Sequence, residues 1–173
     1  TKNLSVTTYA NGDAIPEVSD NTAWAALTTG AWRYYNNDPS TEPAYGRLYN
    51  WYAVNDIRGL KPDNDFGWYI PNSGTFGVLS ASVGGNSNLL KEVGTAHWDS
   101  ANGTNTSGFT AVGAGVITDL GNSVNQKVNS YYWCNDALDG GNGTALLILD
   151  FDTTIATTPV PPVYGLSIRC AWD

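Results

Sequence analysis

The chain holds one histidine, His97, and two cysteines, Cys134 and Cys170. One imidazole cannot supply the several nitrogen ligands of a zinc centre, so metal hydrolysis is disfavoured at the outset. No Gly-x-Ser-x-Gly segment accompanies His97, which leaves a serine–histidine hydrolase without its nucleophile. His97 therefore reads as a structural or exposed side chain. Cys134 and Cys170 each fall at the end of an expected strand. A disulfide between neighbouring strands and two buried thiols both fit that placement.

Oxygen ligands are more plentiful. Asp63, Asn64 and Asp65 form one cluster, and Asn135, Asp136, Asp139 and Asn142 form another. Calcium takes such ligands, and Asp136 with Asp139 is the expected pair if a cation is used; no other cofactor is expected. Neither cluster has EF-hand spacing. Asn, Asp and Gly are also the ordinary turn residues, so solvated turns are the competing reading.

The third chemistry is recognition. Asn129, Tyr131, Trp133, Asn135, Asp136 and Asn142 combine aromatic rings with short polar side chains, the mixture that antibody-like surfaces use. Alternation along a strand puts Tyr131 and Trp133 on one face and Tyr132 on the other. One of those faces must pack inward, so only one set is free to meet a ligand.

Composition narrows the partners. Seven Trp, ten Tyr and four Phe outnumber the eight Lys and Arg, which favours a packed β-rich interior over long solvated helices. The net charge of −8 offers no basic patch for a phosphate backbone, so nucleic acid is disfavoured. Residues 146–149 are the longest aliphatic run and suit a buried strand, far short of a membrane span. No leader is legible and methionine is absent, so a mature product or an excised domain is expected. Residues 1–173 have the length of a single domain with a sizeable core.

The elements that would position these residues can be read along the chain. Residues 4–9 alternate like a strand and break at Asn11-Gly12-Asp13, a hairpin-type turn. Asp20 is placed to cap a helix over residues 21–27 that ends at Gly30. An aromatic strand follows at 31–35. The block at 45–54 fits neither a strand nor a helix period and is either a buried strand or a packed helix. Trp68-Tyr69-Ile70-Pro71 reads as a strand stopped by proline, and 72–83 as a helix weakened by Gly74 and Gly77. A short helix or turn is expected at 88–92. Strands recur from Phe109 onward, 145–151 being the most apolar, with Pro159, Pro161 and Pro162 confined to a connection. No internal repeat is present.

Several of these segments, taken in order, resemble the Fibrobacter succinogenes major paralogous domain family of bacterial and phage-encoded surface proteins. They are Tyr45-Gly46-Arg47-Leu48-Tyr49-Asn50-Trp51-Tyr52-Ala53, Gly67-Trp68-Tyr69-Ile70-Pro71, and Leu90-Lys91-Glu92-Val93-Gly94 with Trp98. Gly103-Thr104-Asn105-Thr106-Ser107-Gly108-Phe109, Tyr131-Tyr132-Trp133 and Ser167-Ile168-Arg169-Cys170 complete the set. The resemblance implies an α+β, C-type-lectin-like fold: antiparallel strands with two short helices and long loops that present a ligand surface. The chain departs from the family pattern at Asn72-Ser73-Gly74-Thr75-Phe76-Gly77 and at Trp133-Cys134-Asn135-Asp136. Sugar-binding C-type lectins carry a Trp-Asn-Asp calcium motif in an equivalent-looking strand, and Cys134 interrupts it here.

The function expected from this reading is a non-catalytic recognition domain of a phage tail fibre or bacterial surface protein. It is extracellular, on a virion or cell surface, and binds a cell-surface glycan or protein receptor through loops around 129–142 and 153–163. Oligomeric display, as in a homotrimer, would add avidity. A diversified binding protein, its loops rewritten by a retroelement, is a special case. Two other classes compete. One is a structural or assembly module of a virion or surface appendage. The other is a formylglycine-generating-type oxidase, whose closely spaced reactive cysteines the distant Cys134 and Cys170 do not match.

Overall fold

The computed structural model describes residues 2–62, 67–137 and 141–173; Asp63, Asn64, Asp65 and Asp139 lie outside them. The chain opens with α1 (Asn21–Ala25), β1 (Trp32–Arg33), α2 (Glu42–Tyr45), β2 (Leu48–Tyr49) and α3 (Trp51–Val54). Then come β3 (Trp68–Tyr69), α4 (Ser73–Ser82), β4 (Val116–Ile117) and β5 (Ser123–Val124). The last are β6 (Asn129–Ala137), β7 (Gly143–Leu149), β8 (Ile155–Val160) and β9 (Ala171–Trp172). The architecture is mixed α/β, with mostly antiparallel strands and few short helices. None of those helices is long and apolar enough to cross a membrane.

The short helices start where polar side chains cap them. Asp20 Oδ1 accepts from the Ala23 amide at 2.7 Å and Asn72 Oδ1 from the Thr75 amide at 2.8 Å, satisfying donors that a helix start leaves unpaired. Gly30 does not end α1, which closes at Ala25. A Cβ at Gly30 would sit 1.9 Å from the Tyr9 hydroxyl and 2.9 Å from Ala53 Cα, so the glycine is there for close packing.

The block at 45–54 contains both structures that its mixed pattern left open. Strand β2 ends at Tyr49, and the next residue, Asn50, has a fully buried side chain that starts α3 by accepting from the Ala53 amide at 3.0 Å. The same oxygen accepts from the Ala31 amide at 3.0 Å, and the Asn50 Nδ2 donates to the Thr29 carbonyl at 2.9 Å. One asparagine thereby ties a strand end, a helix start and a neighbouring loop together. No single period could describe it.

The main sheet has the order β6-β7-β8, and the pairs β1-β2, β3-β9 and β4-β5 are also antiparallel. Both faces of the main sheet are covered. On one, Trp133, Ala145 and Val160 pack with Trp51, Leu166 and Ile168. On the other, Tyr132, Cys134, Leu146 and Ile148 pack with Phe76, Leu90 and Trp98. Two-sided burial explains why 145–149 reads as a continuous apolar run. Trp24, Ile117 and Leu48 anchor a third cluster.

The two outer edges of the sheet differ. Gly115 and Ser167 bridge to β6, with the Trp133 amide donating to the Ser167 carbonyl at 3.0 Å. The outer edge of β8 receives no hydrogen bond or bridge from another element among the described residues. Pro159 lies within β8, opposite Thr144, and not in a connection as the sequence suggested. An edge strand accommodates a proline because its missing donor faces no partner. Residues 4–9 also differ from expectation. They form no strand and make only the Thr8–Ala14 bridge, although the turn at Asn11-Gly12-Asp13 forms, with Gly12 at φ 91°.

Gly143 shows how tightly one core face is packed. A Cβ there would lie 2.6 Å from the Trp51 ring and 2.7 Å from the Trp133 ring. Gly143→Ala should lower stability by about 1–3 kcal/mol through overpacking, measured by urea denaturation.

Candidate functional site

The residues singled out from the sequence fall into separate places along β6 and β7. Trp133 is fully buried, its Nε1 donating to the Tyr49 carbonyl at 2.7 Å and its ring 5.4 Å from that of Trp51. It is a core residue and cannot touch a ligand on the surface. Its same-face neighbour Tyr131 stays half-buried because the start of β6 runs past the core into an open groove. Asn129 lies on the same face and also lines that groove.

Asn135 and Asp136 sit at the far end of the strand. Asn135 is exposed, and its amide donates to the Pro71 carbonyl at 2.8 Å. Asp136 accepts from the Ser73 amide at 2.8 Å and from the Ser73 hydroxyl, so both carboxylate oxygens hold the first turn of α4. Among the described residues no group of three or more His, Cys, Asp or Glu could hold a metal ion. Asp136→Ala should loosen the start of α4 and cost about 0.5–2 kcal/mol in a denaturant titration. Asn142, just before β7, is half-buried and lies apart from the groove lining.

The groove has a volume of about 330 Å³. Asn129 and Tyr131 of β6 line it, with Val116, Thr118, Val124 and Asn125 from the β4-β5 hairpin and its exit. Thr158, Pro159, Val160 and Pro161 contribute from the end of β8, and Tyr164 and Leu166 complete the lining. The side-chain amides of Asn125 and Asn129 and the hydroxyls of Tyr131 and Tyr164 make no hydrogen bond to the described residues. Other amides are committed to the fold, Asn3 to the Tyr45 carbonyl, Asn102 to the Asp150 carbonyl and Asn105 to the Thr110 hydroxyl, while those of Asn36, Asn55, Asn135 and Asn142, like the groove pair, make none to the described residues. Burial pushes the Tyr131 phenol above its ordinary value, with Tyr164 adding to it, and burial pushes Tyr164 up with Asp119 adding to it. Both phenols therefore remain neutral donors near pH 7.

Asn125, Thr118 and Tyr164 were not singled out from the sequence. Asn125 has φ 61°, and its carbonyl accepts from the Val128 and Asn129 amides, which turns the chain into β6. Tyr164 follows Pro161-Pro162, whose stiffness aims it back over the sheet; a tyrosine between prolines and Gly165 was the available signal.

A larger cavity, about 840 Å³, follows residues 2–10 and is closed by Lys61, Pro62, Trp68 and Cys170. It gathers none of the expected recognition residues. Of its polar side chains, Asn3 is committed to the core.

The remaining reactive groups serve the fold. His97 Nδ1 lies 2.6 Å from Glu92 Oε2, and its ring meets Tyr45 edge-on at 5.1 Å. Lys91 is fully buried, donating to the Asp150 carbonyl at 2.9 Å, the Asp152 carbonyl at 3.1 Å and Asn88 Oδ1 at 3.1 Å. Arg169 stacks on Phe109 at 4.7 Å and donates to Asn3 Oδ1.

Cys134 and Cys170 are free thiols, packed in different core clusters on opposite faces of the main sheet, which removes the disulfide alternative. Burial pushes each up to about 12 from 9.0. A thiol raised in the folded state favours folding below pH 9, and that contribution is lost as pH rises from 9 towards 12. Native protein at pH 8 should resist alkylation by iodoacetamide, and unfolding in urea should expose both thiols at once.

The segments that carry the family resemblance are those that hold this structure together. Trp68 pairs edge-on with Trp172 across β3 and β9, Asn50 and Trp51 join β2 to α3, and Lys91 and Arg169 anchor loops from within. No curated protein and no solved structure matches the chain. The model of one family matches residues 1–171, and the chain accordingly belongs to the Fibrobacter succinogenes major domain family.

Proposed function

We propose that this chain is a non-catalytic recognition domain, displayed at the tip of a phage tail fibre or on a bacterial surface protein. It binds a cell-surface glycan or protein through the groove between the β4-β5 hairpin and β8. The finer architecture is C-type-lectin-like: α1 and α4 each send one ring, Trp24 and Phe76, into a core cluster, and long loops lead to the groove.

One observation carries the reading. The groove holds two half-buried tyrosines and two asparagines whose polar atoms are not spent on the fold. A site of that kind supplies aromatic contact area and oriented hydrogen bonds without any reacting group. The unbridged edge of β8 beside it extends the surface that a partner can meet.

The test is binding of the labelled, purified domain to a panel of bacterial cells, with and without EDTA. Saturable binding that falls for Tyr131→Ala and Asn129→Ala supports the reading. It should persist in EDTA, because no carboxylate lines the groove. A folded domain that binds no cell, or that forms a stable homotrimer with the groove buried, would instead fit an assembly module.

A further inference from the structure

We infer that the groove is a subsite for one neutral pyranose ring of a glycan, taken without calcium. This deepens the recognition reading and rests on it. The lining contains no Lys, Arg, His, Asp or Glu, so a charged ligand group entering it would lose water and gain no counter-charge. The charge of Asp119 is felt at Tyr164, where it adds to the upward push of burial on the phenol. That field opposes a uronic or sialic acid carboxylate.

The polar groups suit a ring of vicinal hydroxyls. A sugar hydroxyl both donates and accepts. A carboxamide offers an acceptor and two donors side by side, and a phenol offers one of each. Asn125 and Asn129 supply two such amides, and Tyr131 and Tyr164 supply two phenols. The tyrosine rings offer flat apolar faces to the C–H side of a pyranose. Val116, Val124, Val160 and Leu166 form the apolar wall. The volume of about 330 Å³ lies at the lower end for small-ligand sites, which matches one ring and not a branched oligosaccharide.

The register of the sheet extends the platform. Leu147 lies between Tyr131 and Ala156 across the three strands, on the same face, and Leu147 is half-buried. A second sugar unit leaving the groove would pass over this apolar strip, so binding should strengthen from a monosaccharide to a linear disaccharide.

The experiment is a titration of the ¹⁵N-labelled domain, followed by amide NMR. The probes are the methyl glycosides of glucose, galactose, mannose and N-acetylglucosamine, with galacturonic acid and a short neutral peptide as comparators. The expected result is saturable shifts of the Asn125 and Asn129 side-chain amides with at least one neutral glycoside, in the millimolar range and unchanged by EDTA. Galacturonic acid should bind about tenfold more weakly or worse, a difference of about 1.4 kcal/mol. Tyr164→Ala should abolish the shifts while its spectrum shows a folded protein, and Tyr164→Phe should keep part of the affinity through the ring.

Absence of groove shifts with every neutral glycoside would overturn the sugar assignment, as would shifts with the peptide alone. If cell binding still depended on Tyr131 in that case, the recognition reading would stand and only the ligand class would fall. If cell binding were absent as well, both would fall.

Discussion

Trp133→Ala is expected to lower stability by about 3–5 kcal/mol, enough to consume much of the margin that keeps a domain folded. The ring is fully buried between Trp51 and the residues around Gly143, and its Nε1 satisfies the Tyr49 carbonyl at 2.7 Å. Truncation would open a cavity between β2, α3 and β6 and remove one of the two hydrogen bonds that the Tyr49 carbonyl accepts, the other coming from the Leu166 amide at 2.9 Å, so the cavity dominates the loss. Urea denaturation at neutral pH measures the loss. Tyr131→Ala, two residues earlier on the same face, should cost far less, because its side chain already meets solvent in the groove. A Trp133→Ala variant of near-normal stability would mean that the ring is not the core anchor described here.

The second large effect is on binding. Simultaneous replacement of Tyr131 and Tyr164 by alanine should weaken receptor binding by about 100-fold or more. Buried aromatic anchors are worth about 2 kcal/mol each at the centre of an interface, and tenfold in affinity is about 1.4 kcal/mol. The two rings line one groove, so their effects need not add. The single variants locate the coupling: if each alone removes most of the affinity, the rings act as one platform. Circular dichroism of the double variant, compared with the parent, separates lost binding from lost folding.

Much of the scaffold was legible because local chemistry decides it. Asp20 and Asn72 announce helix starts by side-chain type, and both accept the amide bonds expected of caps. Trp68-Tyr69 ends as a strand before Pro71, and residues 143–149 form the apolar strand. What escaped was set by distant packing. Gly30 looked like a helix stop, and its reason is the Tyr9 hydroxyl and the Ala53 backbone. Pro159 looked like a loop residue, because nothing local says that β8 is an edge.

The candidate site was legible in part. Alternation placed Tyr131 and Trp133 on one face, but it could not say where along β6 the core stops and solvent begins. That boundary falls between them. It depends on Trp51 and Leu166 covering Trp133, whereas Tyr131 packs only partly against the cluster and lines the groove with Val116 and Val124 of the β4-β5 hairpin. Asp136 shows the same limit. Its hydrogen-bond partner is Ser73, far away along the chain, which no local pattern announces.

The groove beside β8 is the proposed recognition face. The most direct measurement is saturation binding of the labelled domain and of its Tyr131→Ala/Tyr164→Ala variant to the same bacterial cells. Saturable binding by the parent and a loss of about 100-fold or more in the folded variant is the predicted result. Equal binding by both proteins would contradict it and move the recognition face elsewhere on the molecule.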